Sequence, residues 1–372
     1  LKIVQADIYG IHLPLKSPFV ISYSSYDYMP SIILRLKTDE GLVGYGEAVP
    51  DEHVTGETFF GVINILKHHL LPAIMGQNPF SIEQIHHILD QAIYANPSAK
   101  AAIDIACYDL MGKFLSQPVY QLIGGAVHES LTFPAVLSID DPDVMAQKAK
   151  KAITEGYLYL KLKLGRDPQE DVERVKAIRQ AIGDKVTICI DINQGWVNYS
   201  QAIQAIEQLT SYHVAWVEQP IRIQDIDGLA EIKKHTMTPI MADESVHDGY
   251  QLLEIIKKQA ADRINIKLMK CGGIYPAVHM AKMAEFAGLP CQIGSMVESS
   301  IASAAGYHVA KSHRNITHTE LTGPLLFSKD IGDLQYTLPY VELTDRAGLG
   351  IEVDKQQLHE LMITQETIMY SS

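Results

Sequence analysis

The stretch Tyr157-Leu-Tyr-Leu-Lys161-Leu-Lys163-Leu-Gly165 decides how this chain folds. It is a short run of residues suited to extended backbone, closed by a glycine, and its length fits one strand. Seven further runs of the same kind accompany it, at residues 132–138, 186–193, 214–220, 239–245, 263–268, 289–295 and 316–322. The starts of the eight runs lie 24 to 29 residues apart, which is room for a strand, a helix and two loops. Between the second and third, Asp167-Pro168 offers an N-cap with proline in the first turn. Val172, Val175, Ile178 and Ile182 form one apolar face, and Gly183 ends the helix. Eight such units predict an α/β protein with a (β/α)8-type barrel over residues 126–324, whose functional groups come from the C-terminal ends of the strands. The competing open, doubly wound sheet normally carries a Gly-rich phosphate loop, and neither GxGxxG nor GxxxxGK[ST] occurs.

The flanks read differently. Residues 1–50 alternate apolar and polar positions and break at Asp39-Glu40-Gly41, as a hairpin does. From 57 to 124 the period becomes helical; Ser98 is placed to cap a helix whose face carries Ile103, Cys107 and Leu110. Residues 1–125 are therefore expected to form an α+β capping domain. The tail, 325–372, resumes alternation, is expected to end in a short helix, and is expected to pack back on that domain.

Composition narrows the function. The 372 residues are 47% hydrophobic and carry a formal charge of −13, which repels nucleic acid and anionic membrane surfaces. No stretch approaches the ~18 apolar residues of a membrane span, and Leu1 to Leu15 lack the uniform apolar run of a signal peptide, so a cytoplasmic protein is expected. Cys107, Cys189, Cys271 and Cys291 lie far apart, which predicts reduced thiols rather than a disulfide framework or a zinc site.

A parallel strand buried on both faces should be almost wholly apolar, so each charge within one needs a reason. Lys161 and Lys163 lie at i and i+2, on one strand face. Asp191, Glu218 and Asp243 end the third, fourth and fifth runs, and Lys267 lies in the sixth. A single acid at a βα junction commonly caps a helix. Three on consecutive strands would instead crowd like charges together unless a cation lay between them. An all-oxygen set favours Mg²⁺, with Mn²⁺ second. Glu244 is expected on the opposite face from Asp243; Asn193 shares the face of Asp191. In an eight-strand ring the second and sixth strands are opposite, so Lys163 and Lys267 should face one another. Like charge, from Lys161 and the metal, should lower the lysine pKa values. Such a site can remove an α-proton beside a carboxylate and return one from the other side.

These residues resemble the enolase superfamily in its muconate lactonizing enzyme subgroup. Lys161-Leu-Lys163 is similar to its KxK motif, Asp191, Glu218 and Asp243 to its three Mg²⁺ ligands, and Lys267 to its second lysine. Residues 188–196, 241–246, 264–273 and 294–298 are most similar to dipeptide epimerases of the L-Ala-D/L-Glu type. The resemblance implies Lys163 and Lys267 as the acid/base pair, with Lys161, Asn193, Ser295, Glu298 and Glu320 contacting a small dipeptide, cap loops at 17–28 and 49–56 closing the mouth, and a homo-oligomer as a permitted assembly. Two departures bear on substrate. The family's Asp-x-Asp on the eighth strand, which holds the dipeptide ammonium, reads Glu320-Leu321-Thr322, and the first cap loop has no arginine to meet a glutamate side chain.

Other readings stay open at this level: a cycloisomerase or o-succinylbenzoate synthase, a Schiff-base aldolase, and a non-catalytic metal-containing sensor. Sugar dehydratases add a His-Asp pair that is not found. His68-His69 and His86-His87 are assigned to solvated or packing roles, and Lys270 to a loop at the barrel mouth. Tyr23, Tyr26 and Tyr28 are read either as lining a substrate pocket or as packing the cap loop, and Asp51 and Glu52 are read first as ordinary loop charges, with selection of a cationic substrate as the alternative.

Overall fold

The computed structural model describes residues 1–22 and 24–370. The chain opens with an antiparallel meander, β1 (Ile3–Val20), β2 (Ser25–Thr38) and β3 (Val43–Ala48), and β2 turns into β3 at the Asp39-Glu40-Gly41 break, with Gly41 at φ 84°. The helix Pro97–Leu115 packs on this sheet. It is apolar nearly all round because it is enclosed by the sheet on one side and the barrel on the other. Contact with β3 is close enough to require glycine: a Cβ on Gly44 would lie 2.4 Å from the Ala106 carbonyl oxygen, and one on Gly46 only 1.9 Å from that of Ala102. Ser98 does not cap this helix. It lies inside the first turn, and the Glu57 carboxylate, from the preceding loop, accepts the Ser98 and Ala99 N–H groups at 3.0 and 3.1 Å. A tertiary partner has displaced the local cap.

The barrel strands follow in chain order. After the two-residue β4 (Leu131–Thr132) come β5 (Ala135–Leu137), β6 (Tyr159–Lys163), β7 (Thr187–Asp191), β8 (Val214–Glu218), β9 (Ile240–Ala242), β10 (Arg263–Ile266), β11 (Cys291–Ile293) and β12 (Ile316–Thr319). From β5 to β12 each is parallel to the next and hydrogen-bonded to it. The crossover helix Pro168–Ile182 is capped by the Asp167 carboxylate and stopped at Gly183. The first run is split at Phe133-Pro134, because proline cannot donate to a ladder. The ring comes together through side chains: Thr319 Oγ1 donates to the Thr132 carbonyl at 2.6 Å, and Tyr159 Oη to that of Thr319 at 2.6 Å. The eighth strand is followed only by the single turn Gly323–Leu326.

The tail departs from expectation. Its short helix, Lys355–Glu360, is present, but the described chain continues into a strand, β15 (Met362–Met369), antiparallel to β1. That strand borders the sheet with one face half covered and the other in water, so it lacks an apolar stripe to announce it. Before it, β13 (Gln335–Thr337) and β14 (Tyr340–Glu342) form a ribbon on β4. Of these strands only β15 joins the cap sheet; Phe327 also bridges Leu15 of β1, and the Leu349 N–H donates to Asp109 of the helix Pro97–Leu115.

Acidic side chains of the first domain hold it to the barrel. Glu47, on β3, accepts from the Ser31 hydroxyl, the Ser299 N–H and hydroxyl, and the Ala302 N–H, and so caps the helix Ser300–Ser312. Asp104 accepts the Ile274 N–H on Oδ1 and the Tyr275 N–H on Oδ2 at the start of the helix Ile274–Phe286, and His86 Nε2 lies 2.8 Å from Oδ2. His86 thus belongs to a buried joint, whereas His68, His69 and His87 are exposed.

Gly46→Ala is expected to cost roughly 3 kcal/mol, since backbone, not a flexible side chain, must yield; denaturant unfolding checks this. Burial pushes the Glu47 carboxyl up to about 7, against the pull of its donors. A carboxyl raised on folding contributes stability fully below its unfolded pKa, about 4.5, and loses it as pH climbs through about 7. Stability should fall by up to roughly 3 kcal/mol between about pH 5 and pH 8. Glu47→Gln should flatten that slope, and parallel slopes in the two proteins would refute the assignment.

Candidate active site

The functional side chains converge because adjacent strands end in register. Lys163 on β6 pairs with Asp191 on β7, and Asp191 with Glu218 on β8. Asp243 follows just beyond β9. Ligand atoms of Asp191, Glu218 and Asp243 lie within 4.8 Å of one another, and all three residues are fully buried. Four non-glycine residues around these strand ends, Asn193, Gln194, Gln219 and Val297, have φ between 37° and 66°, a backbone strain concentrated at the site.

Lysines separate the carboxylates. Lys161 Nζ lies 2.8 Å from Glu218 Oε1, 2.9 Å from Asp191 Oδ2 and 2.6 Å from Glu320 Oε2. Lys163 Nζ donates to Asp191 Oδ2 at 2.8 Å and to Asn193 Oδ1 at 3.3 Å. Lys267 Nζ meets Asp243 Oδ2 at 2.7 Å. Lys163 and Lys267 line one cavity, from strands four apart in the sheet order. Burial raises the Asp191 and Asp243 carboxyls, but the adjacent lysines outweigh it and hold both well below the usual range. Glu218 is instead pushed well above its ordinary value, by burial and then by Asp191. The expected lowering of the lysines does not hold for Lys267. Burial lowers it, but Asp243 and Glu244 prevail and keep the amine above its usual range.

These residues fit a divalent cation. Glu218 Oε2 is buried and accepts no hydrogen bond among the described residues, Asp243 Oδ2 is buried with the Lys267 ammonium at 2.7 Å, and both belong to one cluster of hard oxygen donors.

Of the predicted contacts, Asn193, Ser295 and Glu320 line the cavity with the two opposed lysines; Lys161 does not line it and is buried among Asp191, Glu218 and Glu320. Glu298 does not. It stands behind the loop, accepting from the Ser295 hydroxyl at 2.5 Å and the Met296 N–H at 2.7 Å, and so shapes that wall. Glu320 is already engaged by Lys161 and by Gln292 Nε2 at 3.1 Å. Two sequence assignments are corrected. Glu244 faces the cavity and accepts from Asn193 Nδ2 at 3.1 Å, because β9 ends at Ala242 and strand alternation stops there. Lys270 is no loop residue at the mouth: its side chain is fully buried, and Nζ donates to the Asp243 carboxylate and carbonyl and to the Asn265 carbonyl. The i, i+3 spacing of Lys267 and Lys270 across a helical turn was the signal available for it.

The cap supplies the roof. Phe19, Ile21, Tyr26, Met29, Asp51 and Val54 line the same cavity, and Ser22 Oγ donates to the Asn193 carbonyl at 3.0 Å. Asp51 accepts the His53 and Val54 N–H groups at 2.8 Å on one oxygen and the Tyr26 hydroxyl at 3.4 Å on the other. Burial, with Asp51 next, pushes the Tyr26 phenol up to about 12. Tyr28 is outside the cavity, stacked on His12 at 4.0 Å, and Glu52 is exposed. Tyr23 lies outside the described residues.

Comparison with known proteins agrees with this geometry. Residues 4–124 match the family described as mandelate racemase / muconate lactonizing enzyme, N-terminal domain, and residues 144–357 match the one described as enolase C-terminal domain-like. The N-succinyl-L-Arg/Lys racemase of Bacillus cereus is 52% identical, over 99% of this chain and 100% of that protein; its crystal structure superposes with a TM-score of 0.98. The hydrophobic dipeptide epimerase of Enterococcus faecalis is 42% identical, over 94% and 99%; a crystal structure of the dipeptide epimerase from that organism, with Mg and L-Leu-L-Tyr, gives a TM-score of 0.91. The L-Ala-D/L-Glu epimerase of Bacillus subtilis is 35% identical, over 94% and 97%. A two-part chain matched in both parts, with its acids and lysines at the strand ends, leads to one conclusion: this protein belongs to the enolase superfamily, in its mandelate racemase / muconate lactonizing enzyme branch.

Proposed function

We propose that this protein is an isomerase that inverts the α-carbon of an N-acylated amino acid by 1,1-proton transfer, with Lys163 and Lys267 as the acid/base pair. One observation carries the reading: two lysines from opposite strands line a single cavity beside a cluster of three buried carboxylates. One amine, unprotonated, takes the α-proton from one face, and the other, as ammonium, returns a proton to the opposite face. The reverse reaction exchanges their roles. Asp191, Glu218 and Asp243 would hold Mg²⁺, or Mn²⁺ in second place, which would supply positive charge to stabilise a substrate carboxylate. Lys161, kept protonated by three surrounding carboxylates, adds a fixed positive charge. Phe19, Ile21, Met29 and Val54 cover the mouth, and excluding water strengthens every interaction beneath them.

Two features define the substrate. Asp51 faces the cavity from the cap, which favours a cationic side chain and repels the glutamate of an L-Ala-D/L-Glu-type dipeptide. At the other end Glu320 is occupied by Lys161, and Thr322 stands where relatives of that type carry a second acid, so an acyl group suits the site better than a free ammonium. An N-acylated arginine or lysine, with N-succinyl as the first choice, satisfies both, as does the 52% identity to the N-succinyl-L-Arg/Lys racemase. A dipeptide with a free amino end is the second reading, favoured by Glu320 lining the cavity and by the dipeptide epimerases among the relatives. The four free thiols suit a cytoplasmic setting, and no helix among the described residues is long and apolar enough to cross a membrane.

In deuterated solvent, Lys163→Ala and Lys267→Ala should each lose racemisation by about 10³-fold, while each retains α-proton exchange with one enantiomer only. Full exchange of both enantiomers by both variants would exclude the two-base reading. Asp51→Leu should lower kcat/KM for N-succinyl-arginine by about 10- to 100-fold relative to N-succinyl-leucine; an unchanged ratio would remove Asp51 from side-chain selection.

A further inference from the structure

Each acid of the buried cluster has one oxygen tied down. Asp191 Oδ1 accepts the Asn193 N–H at 3.0 Å. Glu218 Oε1 accepts from Asn265 Nδ2 at 2.9 Å and Lys161 at 2.8 Å. Asp243 Oδ1 accepts from Lys270 at 2.5 Å. Of the remaining oxygens, Glu218 Oε2 accepts no hydrogen bond among the described residues, Asp243 Oδ2 is met by the Lys267 ammonium at 2.7 Å, and Asp191 Oδ2 by Lys161 and Lys163 at 2.9 and 2.8 Å.

Lys270 is the unusual tether, because a buried ammonium is a costly way to hold a carboxylate that an amide could hold. Its three N–H donors meet three acceptors: Asp243 Oδ1 and carbonyl, and the Asn265 carbonyl. It is therefore saturated and fixed. It does not line the cavity, so it touches no substrate. A turn of helix, Leu268–Cys271, carries it directly behind Lys267, and its backbone N–H donates to the Lys267 carbonyl at 3.0 Å.

We propose that Lys270 is a positioning residue that restricts Asp243 to one-oxygen coordination and thereby selects a small octahedral cation over a larger one. The inference rests on the cation reading of the cluster. Ca²⁺ takes six to eight oxygens and readily accepts both oxygens of a carboxylate, whereas Mg²⁺ requires near-octahedral geometry with single oxygens. With Oδ1 bound to a saturated ammonium, Asp243 has no second oxygen to offer the larger ion. Releasing Oδ1 gives the larger ion a second donor and the smaller ion nothing.

The test titrates metal-free protein with Mg²⁺ and, separately, with Ca²⁺, in the absence of substrate, reading heat of binding and melting temperature. The wild-type chain should bind Mg²⁺ more tightly than Ca²⁺. Lys270→Met should raise the Ca²⁺-to-Mg²⁺ affinity ratio by about tenfold or more, and Lys270→Gln, which keeps a weaker neutral donor, by about threefold. A merely structural role would weaken both ions together and leave the ratio alone. An unchanged ratio in either folded variant overturns the proposal, and so does a wild-type protein that prefers Ca²⁺. A wild-type protein that binds neither ion overturns the cation reading beneath it, whereas inactivity on N-acylated amino acids with a shifted ratio counts only against the substrate.

Discussion

Five acidic side chains, Asp191, Glu218, Asp243, Glu244 and Glu320, share the buried end of the barrel with four lysines, Lys161, Lys163, Lys267 and Lys270. Charges removed from water must be compensated at contact distance, and here each lysine lies between 2.5 and 2.9 Å from at least one carboxylate oxygen. This mutual neutralisation holds the strand ends in place. It also leaves the site short of positive charge, with Glu218 the carboxyl that burial and its neighbours most strongly keep from ionising. Chemistry and folding thus place the same demand on the cluster: a further positive charge at its centre relieves the crowding that assembly creates.

The cap answers a second demand. A barrel mouth wide enough to admit a substrate is wide enough to admit water, so the cap must be held over it. The joints are carboxylates of the first domain serving as N-caps for barrel helices, Glu47 for Ser300–Ser312 and Asp104 for Ile274–Phe286. Those helices follow the strand ends carrying Ser295 and Lys267. Cap orientation and site geometry are therefore set through the same two helix starts, and the β15 strand closes the connection by joining the end of the chain to its beginning.

In the proposed reading, reaction and specificity belong to different elements. The lysines and acids lie at strand ends, where backbone pairing holds them rigid. The residues proposed to select the substrate lie at the edges: Asp51 on a cap loop, and Thr322 beyond the eighth strand. On that reading, substitution there changes what the cavity accepts while Lys163 and Lys267 stay in place. Relatives that share this fold at high superposition, yet are named for racemising N-succinyl-Arg/Lys or for epimerising dipeptides, are consistent with that division.

The barrel and its central residues were legible because they rest on repetition and on exception: eight runs at near-constant spacing, and charges where a buried strand should have none. Asp191, Glu218, Lys161 and Lys163 lie within strands, and Asp243 and Lys267 are the first residues past β9 and β10. Legibility ended beyond those first residues. Glu244 lies past β9, so alternation assigned it the wrong face; Glu298 turns back behind its own loop; Lys270 is oriented by acceptors on two other segments. Ser98 was a sound local cap until Glu57, 41 residues away, took its place. The strand β15 has no apolar stripe, since its partner β1 rather than its own pattern makes it a strand. Periodicity along the chain thus determined the fold class and which residues are exceptional. Only the tertiary structure decided which partner each one meets, because a hydrogen bond or ion pair between distant segments leaves no period in the sequence.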